Sequence, residues 1–387
     1  MSTERSVWSR YKQNTPAIIG AVFILLLTLV TILGAYIRPD SSANANQQQL
    51  AIARSAMGTE VQALSVMNNQ VSSGYFGQGF LFGGAVQHSR DLAFDSLYFH
   101  DDMVDLIWKN VSISQLRAAD ICFDLEPDSY HFDGHQVSFS SEGQAKRFRP
   151  EELRKMVEAE HIVQKRFLLG TDSFGRDMLS RLMAGIIISL SVGLISVLIS
   201  LTIGISLGAI AGYFRGRIDD MVMWLINVIW SIPTLLMVIA ITLVLGKGFV
   251  QVFIAVGLTM WVEVARVVRG QFISLRESAF VEAGRSMGFS HTRLMLKHML
   301  PNAMGPVIVI SAANFASAIL IEAGLSFLGI GTQIPMASWG TMIKEHYGYI
   351  TTDLAYLAYL PGICITLLVL AFTLVGNGLR DALDVKA

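Results

Sequence analysis

Residues 16–37 hold no charged side chain, and stretches of comparable apolarity recur at 184–214, 221–245, 306–330 and 356–379. A bilayer core about 30 Å thick takes roughly 20 helical residues to cross, because only a helix satisfies its own backbone in hydrocarbon. A further stretch, 249–262, continues in helical pattern toward Val268 and takes in Glu263 and Arg266. Pro233 breaks the run at 221–245, while Gly204, Gly208 and Gly212, spaced by four, let another helix backbone come close. Six transmembrane spans are expected, which makes the chain an all-α polytopic membrane protein. Composition agrees, since 52% of the 387 residues are hydrophobic and only 15% charged. A net charge of -1 supplies no field that could hold nucleic acid. Two cysteines, Cys122 and Cys364, make neither a disulfide framework nor a thiolate metal site, and both are expected as free thiols.

The runs divide the chain into an N-terminal tail (1–15), a first span (16–37), a large insert (38–169) and a five-helix core (170–387). Arg5, Arg10 and Lys12 precede the first run, as in a signal peptide, and Ala43-Asn44-Ala45 resembles a cleavage site. The apolar stretch is longer than the roughly 7–15 residues of a signal h-region, so an uncleaved anchor is expected. Orientation follows from Lys and Arg in the short loops. With a cytoplasmic N-terminus, the inside collects Arg215, Arg217, Arg266, Arg269, Arg276, Arg285, Arg293, Lys297, Arg380 and Lys386, against Lys247 and Lys344 outside. Both termini are then cytoplasmic and the insert faces out.

The insert is too long for an ordinary connection and reads as an α+β domain. Helices are expected at 44–70 and 150–165, a loop at 74–80 and a β-hairpin at 130–139 around Asp133-Gly134. Pro150 suits a helix start, and Glu151 and Glu152 suit its first turn. The histidines of this block, His88, His100, His131, His135 and His161, lack ligand spacing on an identifiable element, apart from His131 and His135 flanking the turn. Solvated or locally bonded rings are expected rather than a metal site.

No catalytic template fits. The sequence has no phosphate-binding G-x-x-x-x-G-K-[ST] loop, no G-x-S-x-G elbow and no H-E-x-x-H pair, so no catalytic residue and no cofactor are assigned. Intramembrane ionisable residues, the usual marks of ion pathways, are few: Glu263, Arg266 and Glu322. Glu263 and Arg266, three apart, are expected to pair locally or snorkel. Glu322 lies about 24 Å along its helix from Pro306, at 1.5 Å per residue, and is expected to bond a neighbouring helix.

The most informative stretch lies between the fourth and fifth spans. At 277–288, Phe280, Ala283, Gly284 and Met287 follow i, i+3, i+4, i+7 and make an apolar face on a helix too short to cross a membrane. Gly288 can stop that helix in a left-handed conformation, Ser290 can cap a second one, and Pro301 marks its end. A stiff, basic helix-turn-helix elbow results. By pattern alone it lies on lipid headgroups or docks on a protein partner, and the two readings stand level.

At these residues the sequence resembles the membrane permease subunits of ATP-binding-cassette importers, in the dipeptide/oligopeptide and nickel branch. Their signature reads E-A-A, three residues, G, nine residues, I, one residue, L-P. Glu282-Ala283-Gly284, Gly288 and Leu300-Pro301 fall at matching positions, with Gly284 in place of the second Ala and His298 at the Ile position. The segment Gly170-Thr171-Asp172-Ser173-Phe174-Gly175-Arg176-Asp177 is similar to the family's segment before its second span. Glu322-Ala323-Gly324-Leu325-Ser326-Phe327-Leu328-Gly329 with Ser338-Trp339-Gly340, and the stretch from Gly376 to Asp384, resemble its later motifs. The insert lies outside the resemblance.

The resemblance implies six helices of the type I importer kind and a coupling loop over 277–302 that docks on an ATPase. It implies a multi-pass protein of the bacterial inner membrane. It further implies a second homologous permease in a heterodimer, two cytoplasmic ATPases and an extracytoplasmic solute-binding protein that carries most of the specificity. Peptide cargo follows from the branch. A membrane-anchored sensor whose insert binds the ligand is the alternative, and a proton-coupled transporter is disfavoured by the scarcity of buried carboxylates.

Overall fold

The computed structural model describes residues 7–67, 89–246, 248–333 and 335–383. The loop expected at 74–80, His88, Lys247, Arg5, Asp384 and Lys386 lie outside the described residues. The chain forms two compact units.

Val30–Ala184 and Thr351–Leu357 make up the unit that holds the insert. Among its described residues, three antiparallel three-stranded sheets are formed by strands β1 (Thr59–Met67), β2 (Ser89–Phe94), β3 (Ser96–His100), β4 (Met103–Trp108), β5 (Val111–Arg117), β6 (His131–Phe132), β7 (Val137–Ser141), β8 (Gln144–Phe148) and β9 (Ile162–Phe167). Their orders are β2-β1-β9, β3-β4-β5 and β6-β7-β8. Helices α3 (Ala118–Cys122) and α4 (Pro150–Glu160) complete it. Leu64, Phe94, Val104, Leu106, Ile121, Phe139, Leu153 and Val157 form one core. Central strand β1 is covered on both faces, because Val61 packs with Ile52, Ala93 and Phe167 while Leu64 and Val66 join the larger core.

Two helix expectations are corrected here. Among the described residues of 44–70, up to Met67, the helical pieces are the one-turn 3-10 helices Ala43–Ala45 and Leu50–Ile52, followed by β1, and the remainder of the expected helix lies outside the described residues. Pairing of β1 with two distant strands, with Gln62 facing both Phe94 and Gln164, overrides local propensity. Helix α4 stops at Glu160, and the rest of the expected helix is strand β9. Its start is as read: Pro150 is at the first position, and the Glu152 carboxylate accepts the Arg149 N–H at 2.9 Å. The hairpin is present, with His131 opposite Ser138. Asp133 accepts the N–H groups of Gln136 and His135 in its turn, which holds this exposed carboxyl below its usual range.

Both cysteines are free. Burial in the insert core pushes the Cys122 thiol from its ordinary 9.0 up to about 12. The stability this group contributes is fully present below pH 9 and is lost as pH rises toward 12, because the unfolded chain ionises first. Iodoacetamide at pH 8.5 is therefore expected to modify Cys122 only after denaturation, read by peptide mapping; modification of native protein at the denatured rate would contradict the burial.

Gly185–Ile350 and the two ends of the chain make up the membrane unit. It contains α1 (Val7–Tyr11), most of α2 (Thr15–Ile37) and of α5 (Met178–Phe214), then α6 (Gly216–Trp230), α7 (Thr234–Leu245), α8 (Phe249–Leu275), α9 (Ala279–Ser286), α10 (His291–Arg293), α11 (Leu300–Phe327), α12 (Trp339–His346) and α13 (Tyr356–Leu383). Among the described residues five helices are long and apolar enough to cross a bilayer, and α6 with α7 would be a sixth span bent by 91°. The break falls at Ser231–Pro233, where proline removes a helical N–H. Leu25 and Leu26 of α2 and Leu367 and Leu370 of α13 point outward. Side chains of this kind are at home in lipid or against another subunit, not in water.

Candidate functional site

The elbow is built from its stops. At the end of α9, Gly288 has φ +76°, its N–H donates to Arg285 O at 2.9 Å and the Phe289 N–H donates to Gly284 O at 3.0 Å. This is a Schellman end, in which a left-handed glycine satisfies carbonyls the helix would leave open. Ser290 then caps α10, its Oγ accepting the Arg293 N–H at 3.4 Å. Pro301 is not where the second helix ends. A π-turn over Leu294–Met299 joins α10 to α11, so the chain is helical from His291 to Phe327. The wider π-turn gives the proline ring room against the preceding turn, which an α-helix would not.

Of the expected apolar face, Gly284 alone turns inward. Val281 is fully buried beside it, against Leu294, Phe289 and Phe272. Phe280, Ala283 and Met287 point outward with Glu282, Met287 being 66% exposed. The Gly284 departure from the family signature has a local cause, because a Cβ there would lie 2.7 Å from Leu294 Cδ2. Further bonds that the sequence did not disclose hold the elbow on its stem. The Tyr213 hydroxyl and His291 Nδ1 are 2.7 Å apart, Arg215 donates to Glu277 at 2.8 Å, and Arg269 forks onto Asp219 at 2.5 and 2.7 Å. Phe289 stacks on His298, which occupies the signature Ile position, and Arg293 lies over the Phe289 ring. Leu300 and Pro301 form the first turn of α11.

Gly204, Gly208 and Gly212 form a ladder on α5 directly against α8. A Cβ on Gly204 would come within 2.6 Å of Val264 Cβ, and one on Gly212 within 2.6 Å of Phe272 Cβ. The same ladder therefore places α8, and the elbow that follows it, on α5.

Glu322 is fully buried. Its Oε1 accepts hydroxyls from Ser326 at 2.6 Å, Ser338 at 2.8 Å and Thr332 at 3.1 Å. Its partners are its own helix, the following loop and the cap of α12, so it bonds a neighbouring helix, one too short to be a span. Helix α12 was not foreseen; Ser338 begins it, and Trp339 is buried against Gly185, where a Cβ would lie 2.6 Å from the indole.

The segment from Gly170 to Asp177 folds into a buried turn in the insert-bearing unit. Gly170 and Gly175 have φ +70° and +73°. Asp172 Oδ1 accepts the N–H groups of Phe174 and Arg176 at 2.8 and 2.9 Å, and Oδ2 meets Arg176 Nε at 2.5 Å. Thr171 bonds Ile52 O through its hydroxyl and accepts the Ser55 N–H, which clips the turn to the 49–55 segment. Asp177 caps the start of α5 through the Ser180 N–H, at 2.7 Å. Burial pushes the Asp177 carboxyl up, against the lowering effect of these Ser180 bonds.

Glu263 and Arg266 do not pair. Arg266 stacks on Trp230, its guanidinium 3.4 Å from the ring centre, and Glu263 lines a cavity.

Comparison with known proteins accounts for this set of parts. Residues 204–387 match the family described as binding-protein-dependent transport system inner membrane component, and residues 2–56 match the N-terminal TM domain of oligopeptide transport permease C. The oligopeptide transport system permease protein OppC of Bacillus subtilis is 40% identical over 232 residues, 60% of this chain and 75% of that protein. The di/tripeptide transport system permease protein DppC of Pseudomonas aeruginosa is 44% identical over 223 residues, 58% of this chain and 73% of that one. A chain of the MetNI methionine ABC transporter in an inward-facing conformation is similar at 19% identity and a TM-score of 0.46, over 53% of this chain and 97% of that one. The chain thus belongs to the binding-protein-dependent transport system inner membrane components: it is a multi-pass ABC importer permease that works with ATPase subunits and a substrate-binding protein and is not itself an enzyme.

Proposed function

We propose that this permease imports di- and oligopeptides, forming half of a translocation pathway whose other half is a second, homologous permease. The names of the relatives support the cargo. The observation that carries the coupling role is the outward face of Phe280, Ala283 and Met287 on an elbow fixed by Val281, Gly284 and Gly288. A rigid helix that shows apolar side chains to its surroundings while its base is bonded to α5 and α8 suits a groove on an ATPase. Closing the ATPase pair on ATP then selects one arrangement of the spans, since the docked helix carries the preference with it. On this reading the elbow and both termini are cytoplasmic, in line with the Lys and Arg bias, and the insert faces out.

Phe280→Glu and Met287→Glu are expected to abolish co-purification with the ATPase and to lower uptake by on the order of tenfold or more, since a charge would have to be buried in an apolar groove. Both side chains are exposed, so membrane insertion and thermal stability should stay as in the wild type. Undiminished ATPase association in either variant would sink the coupling role.

A further inference from the structure

The bend between α6 and α7 breaks a candidate span, and irregular backbone within a bilayer is tolerated only where it is buried in protein or lines a water-filled space. A cavity of about 320 Å³ is lined by Trp230 at the end of α6, Thr234 at the start of α7, Thr259 and Glu263 of α8 and Ser317 of α11. Its size is at the small end of the roughly 300–1,000 Å³ of ligand pockets.

On the orientation proposed above, Glu263 lies one turn before Arg266, toward the cytoplasmic end of its span in α8. Ionisable side chains within a span are rare unless they pair or line a path. Glu263 has no ion-pair or hydrogen-bond partner among the described residues, and the nearest cation in sequence, Arg266, is held on Trp230. The polar lining is otherwise neutral: Thr234, Thr259 and Ser317. The ends of the broken helices carry opposite partial charges of about half a unit, negative at the end of α6 and positive at the start of α7, which offset each other. The full charge of Glu263 sets the sign.

We propose that this cavity is a cargo subsite in the permease itself, in which the Glu263 carboxylate receives the side-chain ammonium of a lysine in the passing peptide. The subsite rests on the import reading above and adds selection by charge: cationic peptides pass with an advantage over acidic ones.

The test is uptake by the complete importer of three probes, Ala-Lys-Ala, Ala-Ala-Ala and Ala-Glu-Ala. Each variant is divided by the wild type for the same probe, which cancels selection by the binding protein. Glu263→Gln should lower the Ala-Lys-Ala to Ala-Glu-Ala ratio about tenfold, Glu263→Lys should invert the preference, and Glu263→Asp should keep it. ATPase co-purification of all three variants should match the wild type, which shows that they fold. An unchanged ratio in Glu263→Gln, with wild-type import of the probes intact, overturns the subsite and leaves peptide import standing. A fall equal for all three probes also overturns it, since Glu263 would then pair with a fixed group of another subunit. Wild-type protein that imports none of the probes overturns the peptide reading itself, and the subsite with it.

Discussion

Asp172→Asn is expected to destabilise the insert-bearing unit by about 3–5 kcal/mol, the usual cost of removing one partner from a buried ion pair. Asp172, Arg176 and Arg181 are each about 1% exposed, and Asp172 Oδ2 lies 2.5 Å from Arg176 Nε and 3.9 Å from Arg181 Nε. Asparagine could still accept the backbone N–H groups of Phe174 and Arg176 through one oxygen, so the turn would keep its shape at first. It would lack the negative charge that faces both buried guanidinium groups. The turn also carries backbone bonds to the rest of the unit, Gln49 N–H to Phe174 O at 3.1 Å and Arg54 N–H to Asp172 O at 2.9 Å. Loosening it therefore frees the chain that leads into β1. Limited proteolysis of the purified protein reads this directly, with cutting near residues 49–58 expected in the variant at temperatures where the wild type resists. Equal resistance would mean that the charge of Asp172 is not what balances the arginines.

The Asp172 turn illustrates which parts of this fold local sequence discloses. Gly170 and Gly175 are residue types that suit a turn, but nothing nearby in sequence reveals that its partners are Gln49, Arg54 and Ser55, more than a hundred residues earlier. The spans were legible because bilayer thickness imposes a length that soluble folds do not, and the stops of the elbow because Gly288 and Ser290 act on their own backbone. Which face of α9 is buried was not legible. Phe280 and Met287 are larger than Val281, yet the stem presents Leu294 and Phe289, and only a small residue such as Gly284 lets α9 come close to them. Strand β1 was missed for the same kind of reason, since both its neighbours come from distant chain. Helix α12 was missed because its length is set by Trp339 packing on Gly185 and by the Ser338 bond to Glu322, neither of which has a periodic signature.

The α5–α8 contact is where backbone proximity matters most, and Gly208→Val is expected to abolish uptake and lower the melting temperature in detergent markedly. A Cβ at Gly208 would collide with Ala265 O, and would lie 2.9 Å from Val268 Cβ and 3.0 Å from Ala265 Cα. A carbonyl oxygen and a Cα cannot rotate away as a side-chain tip can, so the helices must separate. Overpacking of a tight core costs about 1–3 kcal/mol even where neighbours yield, and here the backbone sets the limit. Lipid offers little compensation, because tails are as apolar as the side chains and helix association in membranes depends on close packing. The functional loss should exceed the loss in stability. Helix α8 leads into the elbow, and Val264, Val268 and Phe272, which face the ladder, share one core with Val281 and Leu294. Displacing α8 thus moves the base of α9 relative to α5, where Tyr213 and Arg215 hold it. Gly362→Ala supplies the contrast: that glycine lies within α13 and a Cβ there meets nothing within 4 Å. Alanine at such a helical site is expected to be neutral or to stabilise by up to about 1 kcal/mol. If Gly208→Val and Gly362→Ala melted and transported alike, close approach at the ladder could not be what seats the elbow.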